Sequence, residues 1–167
     1  FDNPNYTYTF EELDGASTTI TKAAEMAYSK GILVVASAGN TGNSTSPEIM
    51  APSDGRNILC VGAVDTLENR VAFSSIGPTA DGRIKPDVMA LGQNVAVISH
   101  DGNLYNNNGT SFSAPIICGM IASLWQAKPE MNPGEIIDFV KRSSDQFQNP
   151  DNLKGYGVPD FGLALEQ

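Results

Sequence analysis

The sequence predicts an α/β fold built on a mainly parallel sheet with helices on its faces. Two continuous apolar runs, ILVVAS at residues 32–37 and ILCVGAV at residues 58–64, have the composition of strands that are buried on both faces. Segments with helical spacing of apolar residues precede and follow these runs, without an internal repeat. Strands that alternate with helices favour a parallel sheet, and 167 residues are enough for one domain with a core.

The first element is an amphipathic helix within residues 17–31. Ser17 or Thr18 can cap its start, because a short hydroxyl side chain accepts hydrogen bonds from the free N–H groups of the first turn. Gly31 can end it, since glycine adopts the left-handed conformation that commonly follows a helix. The apolar positions that recur at helical spacing are Ile20, Ala23, Ala24 and Ala27.

Short strands broken by glycine and proline are predicted in residues 69–99, before a long apolar helix. That helix lies in NGTSFSAPIICGMIASLWQAKP, residues 108–129, behind a polar turn. Gly119 and Ala122 are small enough for close packing on a sheet. The larger apolar positions with helical spacing are Ile117, Ile121, Leu124 and Trp125.

A further helix within residues 132–144 carries explicit start signals. Asn132 is its cap, Pro133 lies in the first turn, and Glu135 completes a capping box. The ending GYGVPDFGLALE, residues 155–166, predicts a turn and a short last helix.

The charge of the chain argues against nucleic acid as a partner. The net charge is −9 and the pI is near 4.4, whereas binding to phosphates needs a basic face. The simplest role of the acidity is solubility. No apolar run is long enough to predict a membrane span. The two cysteines, Cys60 and Cys118, lie in apolar stretches, which favours free buried thiols, and their spacing fits no zinc pattern.

Ser111 raises the main chemical question of the sequence. A serine at the start of a helix usually caps backbone N–H groups. The same place suits a nucleophile in acyl transfer, because the free N–H groups and the helix dipole stabilise a developing oxyanion. Gly109 permits the sharp turn and the close approach of another chain that such a site requires. Spacing alone favours the capping role.

Four motifs change that balance. GTSFSAP, residues 109–115, resembles the active-serine signature of the subtilisin-like serine peptidases, the subtilases, and ILVVASAGNTGN, residues 32–43, resembles the strand that leads to their oxyanion-hole asparagine. APSDGRNILCVGAVD and VAFSSIGPTADGRIKPDVMALG, residues 51–65 and 71–92, are similar to the two family segments that lie between those motifs. The resemblance implies a three-layer fold with a mainly parallel central sheet flanked by helices.

The resemblance also implies roles for individual residues. Ser111 corresponds to the nucleophile, and Asn40 corresponds to the oxyanion-hole donor that acts with the Ser111 N–H. Met50 falls near the floor of the main specificity pocket, although a gap-filling methionine fits the sequence equally well. The family also implies a cis peptide bond between Ala51 and Pro52. The residues that align with one wall of the specificity pocket, where they would expose backbone groups to a peptide, are Ser37, Ala38 and Gly39.

The chain departs from the family in one respect that decides its activity. Subtilases place an aspartate and a histidine before the serine, and neither the D-[ST]-G nor the H-G-T motif occurs in these 167 residues. The single histidine, His100, lies in a variable loop and is interpreted as a surface residue. We therefore expect residues 1–167 to be the C-terminal portion of a catalytic domain whose N-terminal portion supplies the base.

Several expectations follow from that interpretation. The full enzyme would be an endopeptidase with an Asp-His-Ser triad, acting on peptides or proteins outside the cell or at its surface. It would need no organic cofactor; calcium enters only as a structural ion, and the sequence identifies no ligand cluster for it. Without its N-terminal half, the chain would leave apolar surface uncovered and self-associate. The alternatives are a catalytically inactive peptide-binding or structural module and, far behind, a nucleotide-binding domain, against which the absence of a P-loop lysine argues.

Overall fold

A three-stranded parallel sheet forms the centre of the molecule, of which the computed structural model describes residues 8–166. Its strands are β1 (Val34–Ser37), β2 (Ile58–Val64) and β3 (Val88–Leu91), and they lie side by side in that order. The register pairs Val34 with Ile58 in the first ladder and Val61 with Val88 in the second. The α/β class with a parallel sheet flanked by helices is therefore confirmed.

The remaining elements are one hairpin and several helices. Strands β4 (Val95–Ile98) and β5 (Leu104–Asn107) pair antiparallel and lead directly into the longest helix. The α-helices are α1 (Thr19–Ser29), α2 (Thr110–Ala127), α3 (Pro133–Arg142) and α4 (Phe161–Glu166), and a 3₁₀ turn, Phe10–Glu12, lies before α1. None of the helices in this part of the chain combines the length and apolar character required to cross a membrane.

The predicted helix starts are confirmed at the level of single hydrogen bonds. The Thr18 hydroxyl accepts from the backbone N–H of Thr21 at 3.2 Å and caps α1. Asn132 and Glu135 form the reciprocal capping box of α3, with Pro133 as the first helical residue. These caps satisfy N–H groups that have no partner within the helix.

Helix α2 builds the main core by lying across all three strands of the sheet. Ile117, Ile121 and Leu124 project from it onto Leu59 and Val61 of β2, together with apolar residues of β3, α3 and α4. Every residue of β2 is buried, as predicted for a strand covered on both faces. On its other side, Cys60 packs with Ala38 and Ile49 in a small second cluster.

Four predictions of burial are wrong. Strand β1 is only half-buried, because no described strand pairs with its outer edge. Gly119 and Ala122 do not pack on the sheet; they lie on the exposed face of α2, and no neighbour lies within 4 Å of a Cβ placed on Gly119. Cys118 is on that face too and is exposed, although both cysteines are free as predicted. In α1, Ile20 and Ala23 are likewise exposed.

Candidate active site

The hairpin β4–β5 and a sharp turn deliver Ser111 to the first turn of α2. Gly109 has φ of +148° and serves as the N-cap, so Ser111 is the second residue of the helix and has no capping role. The Gly109 N–H donates to Gly92 O at 2.8 Å, which ties the turn to the segment after β3. Ser111 is exposed, and its hydroxyl has no hydrogen-bond partner within residues 8–166. A nucleophile could therefore act from this position.

Asn40 lies beside that turn, three residues past the carboxyl end of β1. Its Oδ1 accepts two hydrogen bonds from Thr110, one from the backbone N–H at 2.9 Å and one from Oγ1 at 3.0 Å. Its Nδ2 lies 3.5 Å from the point that a Cβ on Gly109 would occupy. The carboxamide is thus held by its oxygen, and its N–H groups remain as donors next to Ser111.

A second donor comes from the start of the helix. The first N–H groups of an α-helix have no intrahelical partner. Here the N–H of Thr110 donates to Asn40, that of Phe112 donates to Gly109 O, and that of Ser111 has no acceptor among the described residues. Two free donors, Asn40 Nδ2 and the Ser111 N–H, therefore lie at the turn that begins α2. This arrangement can stabilise an oxyanion formed at a carbonyl that Ser111 attacks.

Two buried side chains that the sequence analysis did not single out hold this arrangement together. Thr110 Oγ1 accepts from the Gly39 N–H at 3.3 Å while it donates to Asn40. Ser75 accepts from the Thr41 N–H at 3.2 Å, and its own N–H donates to Gly39 O at 3.0 Å. Both side chains are fully buried. Thr110 lies in GTSFSAP and Ser75 lies in VAFSSIG. The motifs therefore contain both residues but do not indicate their roles.

The predicted wall of the specificity pocket is more closed than expected. The backbone groups of Ala38 and Gly39 were expected to be free for a peptide, and this is wrong: Ala38 N–H donates to Val61 O, and Met50 N–H donates to Ala38 O. The carbonyl of Ser37 accepts from the Ser53 hydroxyl at 2.8 Å. Ala38 itself is fully buried.

Met50 and Gly39 form the accessible part of that wall. The Met50 side chain is 47% exposed and lies over Gly39, where an added Cβ would meet Met50 Cγ at 2.7 Å. A glycine is required there, because its φ is +113° and a side chain would also collide with Ser75. The bond between Ala51 and Pro52, next to Met50, is cis as predicted.

Among residues 8–166, no side chain forms the hydrogen bond to the Ser111 hydroxyl that a general base would make. His100 lies in the exposed turn between β4 and β5, where its Nδ1 is 3.2 Å from Ser99 Oγ. The four residues of β5 separate that turn from the helix, a length of roughly 13 Å at about 3.3 Å per residue. The interpretation of His100 as a surface residue agrees with this position.

The same part of the chain offers neither a metal site nor a reactive thiol near Asn40. Residues 8–166 contain no group of three or more His, Cys, Asp or Glu side chains placed to hold a metal ion. Beneath Ala38, burial raises the pKa of the Cys60 thiol to about 12, so this thiol is neutral and serves as a packing group.

Comparison with known families and sequences gives one consistent result. The model of the subtilase family matches residues 6–157. Serine protease AprX of Bacillus subtilis is 33% identical, with 83% of this chain and 36% of the relative covered. Subtilisin DY of Bacillus licheniformis is 35% identical, with 72% of this chain and 42% of the relative covered. The chain thus spans less than half the length of these two relatives.

Solved structures extend the likeness to the fold. The prenylagaramide maturation protease PagA superimposes with a TM-score of 0.74 at 25% identity, covering 91% of this chain and 56% of PagA. MycP1 from Mycobacterium smegmatis gives a TM-score of 0.71 at 26% identity, covering 90% of this chain and 46% of MycP1. Nearly all of this chain therefore corresponds to about half of a larger structure.

Proposed function

The chain belongs to the subtilase family, and from that premise we propose that it supplies the nucleophile and the oxyanion donors of a serine endopeptidase. The observation that carries the proposal is the pairing of Ser111 and Asn40. The hydroxyl of Ser111 is unpaired at the start of α2, and Thr110 holds the Asn40 carboxamide beside it by two hydrogen bonds. Neither feature would be needed for binding a peptide without cutting it.

The proposed reaction follows from these positions. Ser111 Oγ attacks the carbonyl carbon of a peptide bond while a histidine takes its proton, and an aspartate orients that histidine. The carbonyl oxygen becomes an oxyanion between Asn40 Nδ2 and the Ser111 N–H. The histidine then gives the proton to the leaving amine, and water releases the acyl group from Ser111. The histidine and aspartate would come from polypeptide outside these 167 residues.

The surface of α2 supports a partner of that kind. Helix α2 is apolar on all sides, which is typical of a helix buried on all sides. Yet Ile116 and Met120 are exposed on one face, close to the exposed Cys118. The outer edge of β1 lacks a partner strand among the described residues. We propose that the N-terminal portion of the catalytic domain covers both surfaces, and that the chain self-associates when this portion is absent.

The wider setting is proposed on the family alone. The substrates would be peptides or proteins, and the parent enzyme would act in the secreted or cell-surface space. No organic cofactor is required by the proposed reaction, and calcium would serve only as a structural ion. Nucleic acid remains an unsuitable partner for a chain with a net charge of −9.

A fluorophosphonate probe tests the proposal, because it reacts with a serine that a nearby base activates. We expect little labelling of the chain alone and rapid labelling of Ser111 once the upstream half of the parent protein is added, read by intact-mass and peptide mass spectrometry. The Ser111→Ala variant is the control and should remain unlabelled. Silence in both preparations would refute the proposal and leave the alternative, a subtilase-like module that binds peptides or has a structural role without catalysis.

A further inference from the structure

A cavity at the amino ends of β2 and β3 gathers positive charge in an acidic protein. The chain has 10 Lys and Arg against 19 Asp and Glu. Four of the ten basic residues line this one cavity of about 250 Å³, together with Asp87 and Tyr156. These four residues are Arg56, Arg83, Lys85 and Lys141.

The carboxylates around this cavity neutralise only half of its positive charge. Asp87 lies 2.8 Å from Lys141 Nζ and also pairs with Lys85 Nζ. Asp81 lies 2.6 Å from Arg56 Nη2 and 2.9 Å from Arg83 Nε. Asp138 lies near Lys141 on α3 but forms no ion pair with it among the described residues. The four cations therefore share two ion-paired carboxylates, and two cationic charges have no directly paired carboxylate.

Some hydrogen-bond donors on the side chains of the cavity have no acceptor among the described residues. Arg83 Nη1 is buried and has no acceptor in the described structure. Arg56 uses only Nη2, towards Asp81, among the residues described. Lys85 is almost fully buried and already satisfies two donors, on Ile58 O and on Asp87. A buried or confined cation without a counter-charge costs free energy, which an anion with several acceptor oxygens would offset.

We propose that this cavity binds a free divalent oxyanion, phosphate or sulfate. Two negative charges match the surplus of the site, and the planar donors of a guanidinium suit tetrahedral oxyanions. A volume of 250 Å³ equals that of roughly eight waters at about 30 Å³ each, enough for one such ion with part of its hydration shell. This volume is too small for an extended track of phosphates, in keeping with the overall acidity.

The position of the site predicts what the ion would do. Arg56 precedes β2, Arg83 and Lys85 precede β3, and Lys141 lies in the last turn of α3. Asn40 follows the carboxyl end of β1, so in a parallel sheet the cavity lies at the opposite end of the strands. An ion there would join three separate segments and stabilise the fold without contacting Ser111. The inference does not depend on the proposed protease activity.

Thermal unfolding of the full 167-residue chain tests the proposal, with inorganic phosphate or sulfate compared against sodium chloride at equal ionic strength. At ten times Kd, a ligand of the folded state lowers the unfolding equilibrium constant about elevenfold, which corresponds to a rise in Tm of about 3–6 °C for a chain of this size. Arg56→Gln should abolish most of the rise, since Arg56 is exposed and its loss leaves the fold intact. The matched control is Lys22→Gln, which removes the same charge from the exposed surface of α1 and should keep the full rise.

Three results would overturn the proposal. An equal rise in chloride would show a general effect of salt. A full rise in Arg56→Gln would place the ion elsewhere. A larger rise with a phosphoserine peptide than with free phosphate, at equal phosphate concentration, would assign the cavity to a phosphorylated chain instead of a free ion.

Discussion

Strands β1 and β2 have nearly the same apolar composition, yet the protein buries them to different degrees. All seven residues of β2 are buried between neighbouring strands and packed side chains, whereas all four residues of β1 are half-buried and its outer edge is open within the described structure. Helix α2 repeats the contrast on its two faces, with Leu124 buried and Met120 exposed. Composition therefore reports the burial for which a segment is suited, and neighbouring polypeptide decides whether this chain achieves it.

The region of β2 and β3 is fully packed, and substitution of its buried charged residues should show the largest effect on the free energy of unfolding. Asp87→Asn leaves Lys85 in the interior without its carboxylate, so we expect a loss of about 3–5 kcal/mol in the free energy of unfolding. The matched variant Asp81→Asn breaks pairs that are more exposed and should cost about 1 kcal/mol or less. Urea unfolding of both variants gives the comparison. Equal losses of unfolding free energy in the two variants would contradict the interpretation that Asp87 belongs to a fully buried ion-pair cluster.

Acid should weaken the same cluster. Burial raises the pKa of Asp87, but Lys85 and Lys141 outweigh it and lower the net value below the ordinary range. Because the folded pKa is depressed, the carboxylate contributes stability above its unfolded pKa, near 3.9, and loses it as the pH falls through the folded value. The difference in stability between the wild type and Asp87→Asn should therefore narrow below about pH 3.9, as measured by urea midpoints at pH 5 and pH 3. A constant difference would show that Asp87 does not titrate as assigned.

The two faces of α2 provide the next comparison. Leu124 is 1% exposed and Met120 is 43% exposed on the same helix. Leu124→Ala should cost about 2–5 kcal/mol through lost burial and a cavity, whereas Met120→Ala should fall within the roughly 0.5 kcal/mol usual for surface positions. If the upstream half of the enzyme docks on this face, Met120→Ala should weaken the complex while it leaves the isolated chain unchanged. A large loss in the isolated chain would mean that this face is already covered.

Much of the fold was predictable, because its signals are local. The caps of Thr18 and Asn132, the wholly apolar run of β2 and the glycine turn before Ser111 each act within a few residues of sequence. The motifs that resemble subtilases also placed Ser111 beside Asn40, although 70 residues separate Asn40 from Thr110, the contact that fixes this geometry.

The remainder could not be predicted, because it depends on contacts between segments that are distant in sequence, or on the absence of such contacts. The double hydrogen bond from Thr110 to Asn40 and the grouping of Arg56 with Lys141 exist only after the strands have paired. The exposure of Cys118 and Gly119 has a different origin: their surroundings are apolar in sequence, but no described residue covers them.

The turn before α2 connects a half-buried region with a buried one. Asn40 follows the half-buried β1, whereas the buried Thr110 begins α2. Thr110→Val removes one of the two hydrogen bonds that hold the Asn40 carboxamide, and in the complete enzyme we expect kcat to fall about tenfold, or about 1.4 kcal/mol, with little change in KM. The upper limit of the effect is complete loss of the donor, which in subtilisin itself lowers kcat by about 10²–10³. Thr110→Ser should restore most of the activity. A rise in KM at unchanged kcat would assign Thr110 to substrate binding instead.

The reactivity of the two cysteines compares the exposed face of α2 with the buried strand β2, and measuring it does not alter the packing. Cys118 lies on the exposed face of α2, whereas Cys60 is buried and its pKa is raised to about 12, so an aromatic disulfide reagent near pH 8 should modify Cys118 rapidly and Cys60 only after unfolding. The Cys118→Ser variant is the control and should lose the rapid phase alone. Addition of the proposed upstream half should then protect Cys118, because the proposed docking on α2 would remove its thiol from water. Continued rapid modification of Cys118 in a complex that labels Ser111 would show that the proposed N-terminal portion leaves this face open, and the apolar character of α2 would need another cause.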